Sequence, residues 1–379
     1  MAKLVDVCDI QYGYAFDSKC FTSDNSYIPL VRIRDIKRGF SETFYSGEYP
    51  EEYIVQEGDL LVGMDGEFNI ARWKRQKALL NQRVCKLVAK KETNEEYLRF
   101  AMTKSLKEIE RKTAFVTVKH LSAKELNRLE LDIPTIEEQN KIAKVLSKLE
   151  RIIGWYEREL HYLDNLIKAR FIELFGDPII NSLNLKTKPM TELCEIIDGD
   201  RGKNYPTVEE FSEEGYCLFL NAKNVTSSGF NFERCMFVTE EKDEVLRKGK
   251  LQRGDVVLTT RGTIGNMAFF TDEVPYEHIR INSGMVILRM HREEIDEVYF
   301  IEQFKMQLAD IKEKIASGSA QPQLPISMMN KIQVLLPDIN TQKKFAVFVE
   351  QTDKSKVAVQ KALDQTQLLF DSLMQAYFG

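Results

Sequence analysis

The densest run of side chains suited to an anionic ligand lies between Phe68 and Lys91. Arg72, Lys74, Arg75, Lys77, Arg83, Lys86, Lys90 and Lys91 fall there, with no Asp or Glu among them. Lys and Arg neutralise phosphates, while Arg, Asn and Gln read base edges through paired hydrogen bonds. Trp73 stands inside the run, and Asn81, Gln82 and Arg83 set two amides beside a guanidinium. Arg32, Arg34 and Lys37 add charge to the same half of the chain. A solvated basic face is the plainer alternative for any one of these groups.

The second half has acid-free windows at matching places. Val256 to Thr271 holds Thr260, Arg261 and Thr263 with Gly262 and Gly265, and His278 to Arg292 holds Arg280, Asn282 and Ser283. Glycines let a backbone approach a phosphate, and small hydroxyls donate to it. Asn221, Lys223 and Asn224 stand where the first half has Arg32, Arg34 and Asp35. The string SGSAQPQLP, from Ser317 to Pro325, reads either as a plain turn or as a DNA-facing loop. On the second reading Gly318 and Ser319 meet the backbone and Gln321 sits at a groove.

Other chemistries find no support. There is no G-x-x-x-x-G-K-[ST] phosphate loop, no G-x-G-x-x-G after a strand, and no Asn/Asp-Pro-Pro-aromatic motif of the aminomethyltransferase kind. PDINTQKK at Pro337 lacks the Glu-x-Lys of a nuclease. The six cysteines are scattered without C-x-x-C and there are four histidines, so no metal site is expected. His120 and His161 read as structural. The formal charge of −5 excludes a uniformly basic, histone-like protein but not a local basic groove. No apolar run reaches the ~20 residues of a membrane helix, and Lys3, Asp6 and Asp9 break up any signal peptide. The expectation is a reduced, cytoplasmic binding protein with no membrane contact and no cofactor of its own.

The elements that must hold these residues occur twice. KLVDVCDIQYG (Lys3 to Gly13) matches PMTELCEIIDG (Pro189 to Gly199), and EGDLLVGMDG (Glu57 to Gly66) matches RGDVVLTTRG (Arg253 to Gly262). YIPLVRIRDI matches YCLFLNAKNV, LDIPTIEEQ matches LLPDINTQ at its Pro337 and Gln342, and Phe175-Gly176 matches Phe378-Gly379. Such long-period self-similarity decides the architecture. Each half opens with short β-rich runs (Tyr27–Ile33, Asp59–Gly63 and Val84–Val88; then Val256–Thr260 and Met285–Leu288). Each continues with a helix, near Asn94–Lys112 and Asp296–Ile315, then a strand ending at Pro134 or Pro337, then a long helix.

Those long helices are predicted over Glu137–Phe175 and Thr341–Phe378. Ile142, Val145, Leu149, Ile152 or Ile153, Tyr156, Leu160, Leu163, Ile167, Phe171 and Leu174 recur at steps of three and four. The second stripe reads Phe345, Phe348, Thr352, Lys356, Val359, Leu363, Thr366, Phe370, Leu373 and Tyr377. Each helix would be roughly 55–60 Å long at ~1.5 Å per residue. The expected fold is α+β: two homologous α/β domains, 1–135 and 189–338, joined by two long antiparallel helices that form a coiled coil. The helical segments are 136–188, with a linker, and 339–379. Lys356 and Thr366 on the seam set register or mark where another protein inserts.

Together these strings resemble the specificity subunit of type I restriction–modification systems. The matching elements are RGDVVLTTRGTIGNMA, GSAQPQLP leading to LLPDINTQ, TVKHLSAKELNRLELDIPTIEEQNKIAKVLSKLE, and the helix ending FIELFGDP. The resemblance covers essentially the whole chain. It implies two target recognition domains, each reading one part of a bipartite site in double-stranded DNA, with the helices fixing the gap. It implies no catalysis in this chain. Two DNA methyltransferase (modification) subunits would bind S-adenosylmethionine and methylate adenine, and two ATP-dependent restriction subunits would join the full complex in phage defence. The alternatives are a coiled-coil scaffold that does not touch DNA and a single-chain methyltransferase or nuclease.

Overall fold

The repeat seen in the sequence is written into the strand order. A computed structural model of the chain describes residues 1–75, 77–112, 120–316 and 323–379. It folds as two units, one made of 1–158 with 360–379 and the other of 159–359. In the first unit an antiparallel sheet runs in the order Cys8–Tyr12, Val84–Ala89, Leu60–Gly63, Ile70–Arg72. In the second unit the order is Cys194–Asp198, Met285–Met290, Val256–Thr259, Met267–Phe269. Each unit also contains a parallel pair of strands. Ile28–Val31 lies beside Ala78–Leu80, and Cys217–Leu220 lies beside Ile279–Ile281.

The apolar runs are continuous because these strands are covered on both faces. Successive strand side chains point to opposite sides. Leu60 and Val62 therefore join Leu98, Met102 and Leu106 of the helix Glu95–Lys112, while Leu61 joins Trp73, Leu80 and Val84. Val256 and Leu258 pack on Phe300 and Phe304 of the helix Glu297–Ala316, while Val257 packs with Ile279, Ile281 and Ile287.

The proline and glutamine shared by the repeats tie each long helix to its own globular part. The helices span Ile136–Phe175 and Ile339–Phe378. Gln139 Nε2 donates to the carbonyls of Glu92 (3.2 Å) and Pro134 (2.9 Å), and its Oε1 accepts from the Asn94 amide (2.8 Å). Gln342 repeats the pattern with Glu294 (3.0 Å), Pro337 (2.9 Å) and the Asp296 amide (3.0 Å). Tyr97 and Tyr299 brace the same junctions by donating to the carbonyls of Asp132 and Leu335.

Within the second unit the two long helices run antiparallel. Phe171 and Phe175 meet Phe345, each at 5.5 Å between ring centres, and Asp164 meets Lys356 at 2.9 Å. In the first unit Leu146 and Ile142 join Phe370, Leu373, Met374 and Phe378 around Phe100. The seam expected from spacing needs correction near both ends: Tyr377 is exposed and Met374 and Phe378 pack instead, and the start of the first helix also differs. Val145 is 42% exposed, whereas Ala143 and Leu146 are buried. The first turns of that helix pack on the globular part, where Ala143 joins the sheet cluster, and that contact sets the buried face. Lys356 is paired with Asp164 and Asp353, while Thr352 and Thr366 donate to their own helix at the Phe348 and Ala362 carbonyls, so all three polar seam residues have partners.

Candidate nucleic-acid interface

In each unit several chain segments meet at one end of the four-stranded sheet. In the first, the Gly13 amide donates to Val84 O and the Tyr14 amide to Leu80 O. The Met64 amide donates to Arg83 O, and the Leu121 amide to Met64 O. In the second, the Thr260 amide donates to Gly284 O and the Leu324 amide to Thr260 O. Asp65 bridges to His120 as Arg261 bridges to Gln323. Gly13 and Gly199 permit the close crossing, since a Cβ would stand 2.0 Å from Asn81 O and 2.2 Å from Asn282 O. Gly66 (φ 68°) and Gly262 (φ 71°) turn the loop after the strand in the left-handed region, where glycine is unstrained.

This shared rim carries different tips in the two units. In the first, Arg83 Nε lies 3.2 Å from Asp65 Oδ2, and Asp65 also bonds His120. Asn81 Oδ1 accepts from the Gln82 backbone amide, and Gln82 is exposed. In the second, Arg261 and Thr263 are exposed and Asn282 Oδ1 accepts from the Gly284 amide. Arg261 and Gln323 line a cleft of about 250 Å³ with Asp198 and Arg201. Arg201 was missed by sequence reasoning. It donates to Asp198 Oδ1 (3.2 Å) and Ser283 O (3.4 Å). Its signal in the sequence is the string DRGKN directly after the repeated Gly199.

The other expected residues divide into two groups. Arg32, Arg34 and Lys37 are exposed around the helix Ile33–Arg38, with Arg34 bonding Thr43 Oγ1 and Lys37 paired to Glu67. Lys74 lays its stem over Gly39, and Arg75 sits 5.9 Å from the Phe40 ring. Half-buried Asn221 and exposed Lys223 share a turn, Asn221 Oδ1 accepting from the Lys223 amide. Three expected contacts are interior instead. Asn224 is 1% exposed and its amide holds the carbonyls of Asn231 and Arg234. Thr260 donates to Gly284 O. Arg280 is buried against Asp243 and the Lys248 carbonyl. Ser319 and Gln321 lie outside the described residues.

The basic run is also less positive than its sequence implies. Arg72 pairs with Glu95 and Glu96, Lys86 with Asp59, and Lys90 with Asp9. Trp73 is 1% exposed and belongs to the core. Burial would raise the Asp243 carboxyl, but Lys250 and Arg280 outweigh it and hold it below the usual carboxylate range. Burial pushes the Cys8 and Cys194 thiols up to about 12, which keeps both protonated near neutrality. Among the described residues no group of His, Cys, Asp and Glu is arranged to hold a metal ion, and no helix is long and apolar enough to cross a membrane.

Residues 1–161 and 183–366 match the family described as the type I restriction modification DNA specificity domain. The chain belongs to that family. Its relatives include the type I restriction enzyme EcoBI specificity subunit of Escherichia coli, 27% identical over 98% of this chain and 84% of that protein. The MjaVIII specificity subunit of Methanocaldococcus jannaschii is 24% identical over 89% of this chain and 83% of its own length. The fold is that of the S subunit crystal structure from M. genitalium (TM-score 0.61, 18% identity, 100% of this chain and 95% of that one). A chain from a structural study of type I complex assembly and conformational transition superposes with TM-score 0.54 at 15% identity, over 100% of this chain and 95% of that one. The two matched stretches of the family correspond to the two rims.

Proposed function

We propose that this chain is the non-catalytic, DNA-reading subunit of a cytoplasmic type I restriction–modification complex. Each unit reads one part of a bipartite site in double-stranded DNA, and the paired helices set the interval. The observation that carries this reading is the rim built twice on one backbone plan with different side chains. Arg261 and Gln323 occupy the places of Asp65 and His120. A repeated frame with altered tips suits two readers of different base sequences, since base edges are distinguished by donor and acceptor pattern. S-adenosylmethionine and ATP belong on the partner subunits: two methyltransferase subunits and, in the full complex, two restriction subunits.

Co-expression with the cognate methyltransferase and mapping of methylated adenines tests the assignment. Arg261→Ala with Gln323→Ala should relax one part of the recognised motif, and Gln82→Ala with Arg83→Ala the other. Relaxation of both parts by either pair, or of neither, overturns it. Four residues inserted near Glu157 add about one helical turn, ~5.4 Å, against ~3.4 Å per base pair. The gap should then lengthen while both sequence parts persist. Methyl transfer by the purified chain without a partner would instead make it an enzyme.

A further inference from the structure

Beside the second rim lies a cavity of about 420 Å³ that the base-reading argument does not use. Arg201, Lys203, Arg247 and Lys248 surround it, and all four are exposed. Two carboxylates also line it, but both are engaged. Asp198 pairs with Arg201. Asp200, 9% exposed, accepts from the Gly202 amide (2.8 Å) and the Arg247 amide (2.8 Å). These backbone donors, Gly202 first, hold its carboxyl below the usual range. Asp200 thus clamps the two basic segments together and spends its charge on backbone dipoles. The segment 247–248 is fixed from beneath, because buried Arg280 donates to the Lys248 carbonyl at 2.8 Å. Asp198 and Arg201 line both this cavity and the cleft of Arg261 and Gln323, so the two are neighbours.

The matching place in the first unit carries different side chains. Lys250 bridges to Arg280 as Ile54 pairs with Leu79, which puts Glu51 and Glu52 at the places of Arg247 and Lys248. After Gly13 the chain carries Tyr14 and Phe16, packed at 5.1 Å on each other, instead of the Asp200–Lys203 loop. The charge at this place is reversed between two otherwise matching frames.

We infer that the cavity organised by Asp200 is a phosphodiester seat, by which the second unit alone grips the DNA backbone next to its base-reading cleft. This rests on the reading of the chain as DNA-binding. Phosphate contacts fix register and strength without reading sequence. The seat therefore anchors the second unit whatever the bases, while the first unit depends more on its specific contacts.

The test measures the full chain, with its methyltransferase partner, on a duplex lacking the recognised site. For Lys203→Ala/Arg247→Ala/Lys248→Ala, affinity should fall by roughly one to two orders of magnitude at 0.1 M salt, and the slope of log affinity on log salt should drop by about 0.9 for each phosphate no longer neutralised. The methylated motif should stay the same. Lys331→Ala, an exposed change elsewhere in this unit, should alter nothing. If the triple variant melts early, Lys203→Gln alone is read and should lower the slope by about one. An unchanged slope, with wild type binding DNA normally, overturns the seat and leaves the DNA-reading function standing. A wild-type complex that binds no DNA overturns the function itself. Saturable binding of inorganic phosphate at micromolar concentration, with the DNA slope unchanged in the variant, makes the cavity a small-anion site and also refutes the inference.

Discussion

Replacing Gln342 by alanine should loosen the second unit at one identifiable place. The side chain is fully buried and makes three hydrogen bonds, all to backbone groups. Its loss strands the Asp296 amide and removes a donor from the carbonyls of Glu294 and Pro337. A buried group left unsatisfied costs about 1–3 kcal/mol, and a carbonyl with a second lone pair costs less than an amide. The expected destabilisation is therefore about 2–5 kcal/mol. Hydrogen exchange followed by mass spectrometry, alongside urea unfolding, reads both scale and position. The Asp296 amide should exchange at least about tenfold faster, since even ~1.4 kcal/mol corresponds to that factor. Gln342→Glu supplies a control. Its carboxylate still accepts from Asp296 but faces two carbonyl oxygens, so it should do no better than alanine at neutral pH and recover as acid protonates it. Gln139→Ala should act alike on the Asn94 amide in the first unit, and the two losses should add. Wild-type protection at Asp296 in Gln342→Ala would refute the reasoning.

Three further outcomes follow from the second unit. Asp243→Ala leaves Arg280 buried without its carboxylate and should cost about 3–5 kcal/mol in urea unfolding, whereas Asp243→Leu with Arg280→Leu should recover much of this, because the first unit has Leu79 at that register. The Asp243 carboxyl is held below its ordinary 3.8, so the unfolded chain binds more protons in that range. Its stabilisation should be complete above about pH 4 and fade as pH falls through the lower folded value, and Asp243→Asn should flatten that part of the stability–pH curve. Gly199→Ala forces a Cβ against Asn282 O, which is backbone and cannot swing aside, so methylation mapping should show one part of the motif weakened and the other intact.

The sequence disclosed what is periodic or duplicated. The seam from Phe345 to Phe370 could be read because its apolar residues recur at three and four, and the paired strands because their short apolar runs occur twice. The helix register near Val145 could not, since the contact that sets it comes from the sheet cluster around Leu126 and Leu131. The basic run from Phe68 misled for a similar reason. The acids that neutralise it, Asp9, Asp59, Glu95 and Glu96, lie outside the window and arrive only on folding. Arg280 looked like a surface contact because a lone arginine in a strand usually is one, and its partner Asp243 lies 37 residues upstream. Arg201 was passed over because two acids beside it hide a positive loop, until Asp200 is seen to be consumed by backbone amides.

The unit boundary that cuts through both long helices orders events during translation. Residues 159–359 leave the ribosome as a consecutive stretch, whereas the first unit needs Gln360–Gly379, where Phe378 stacks near Tyr97 at 5.2 Å and Gln375 meets Lys104. The first unit is thus completed only after the second has been synthesised. The surface around Phe100 that receives Phe370, Met374 and Phe378 therefore stays uncovered while residues 159–359 are synthesised, and it closes only when groups as far apart as Lys104 and Gln375 come together.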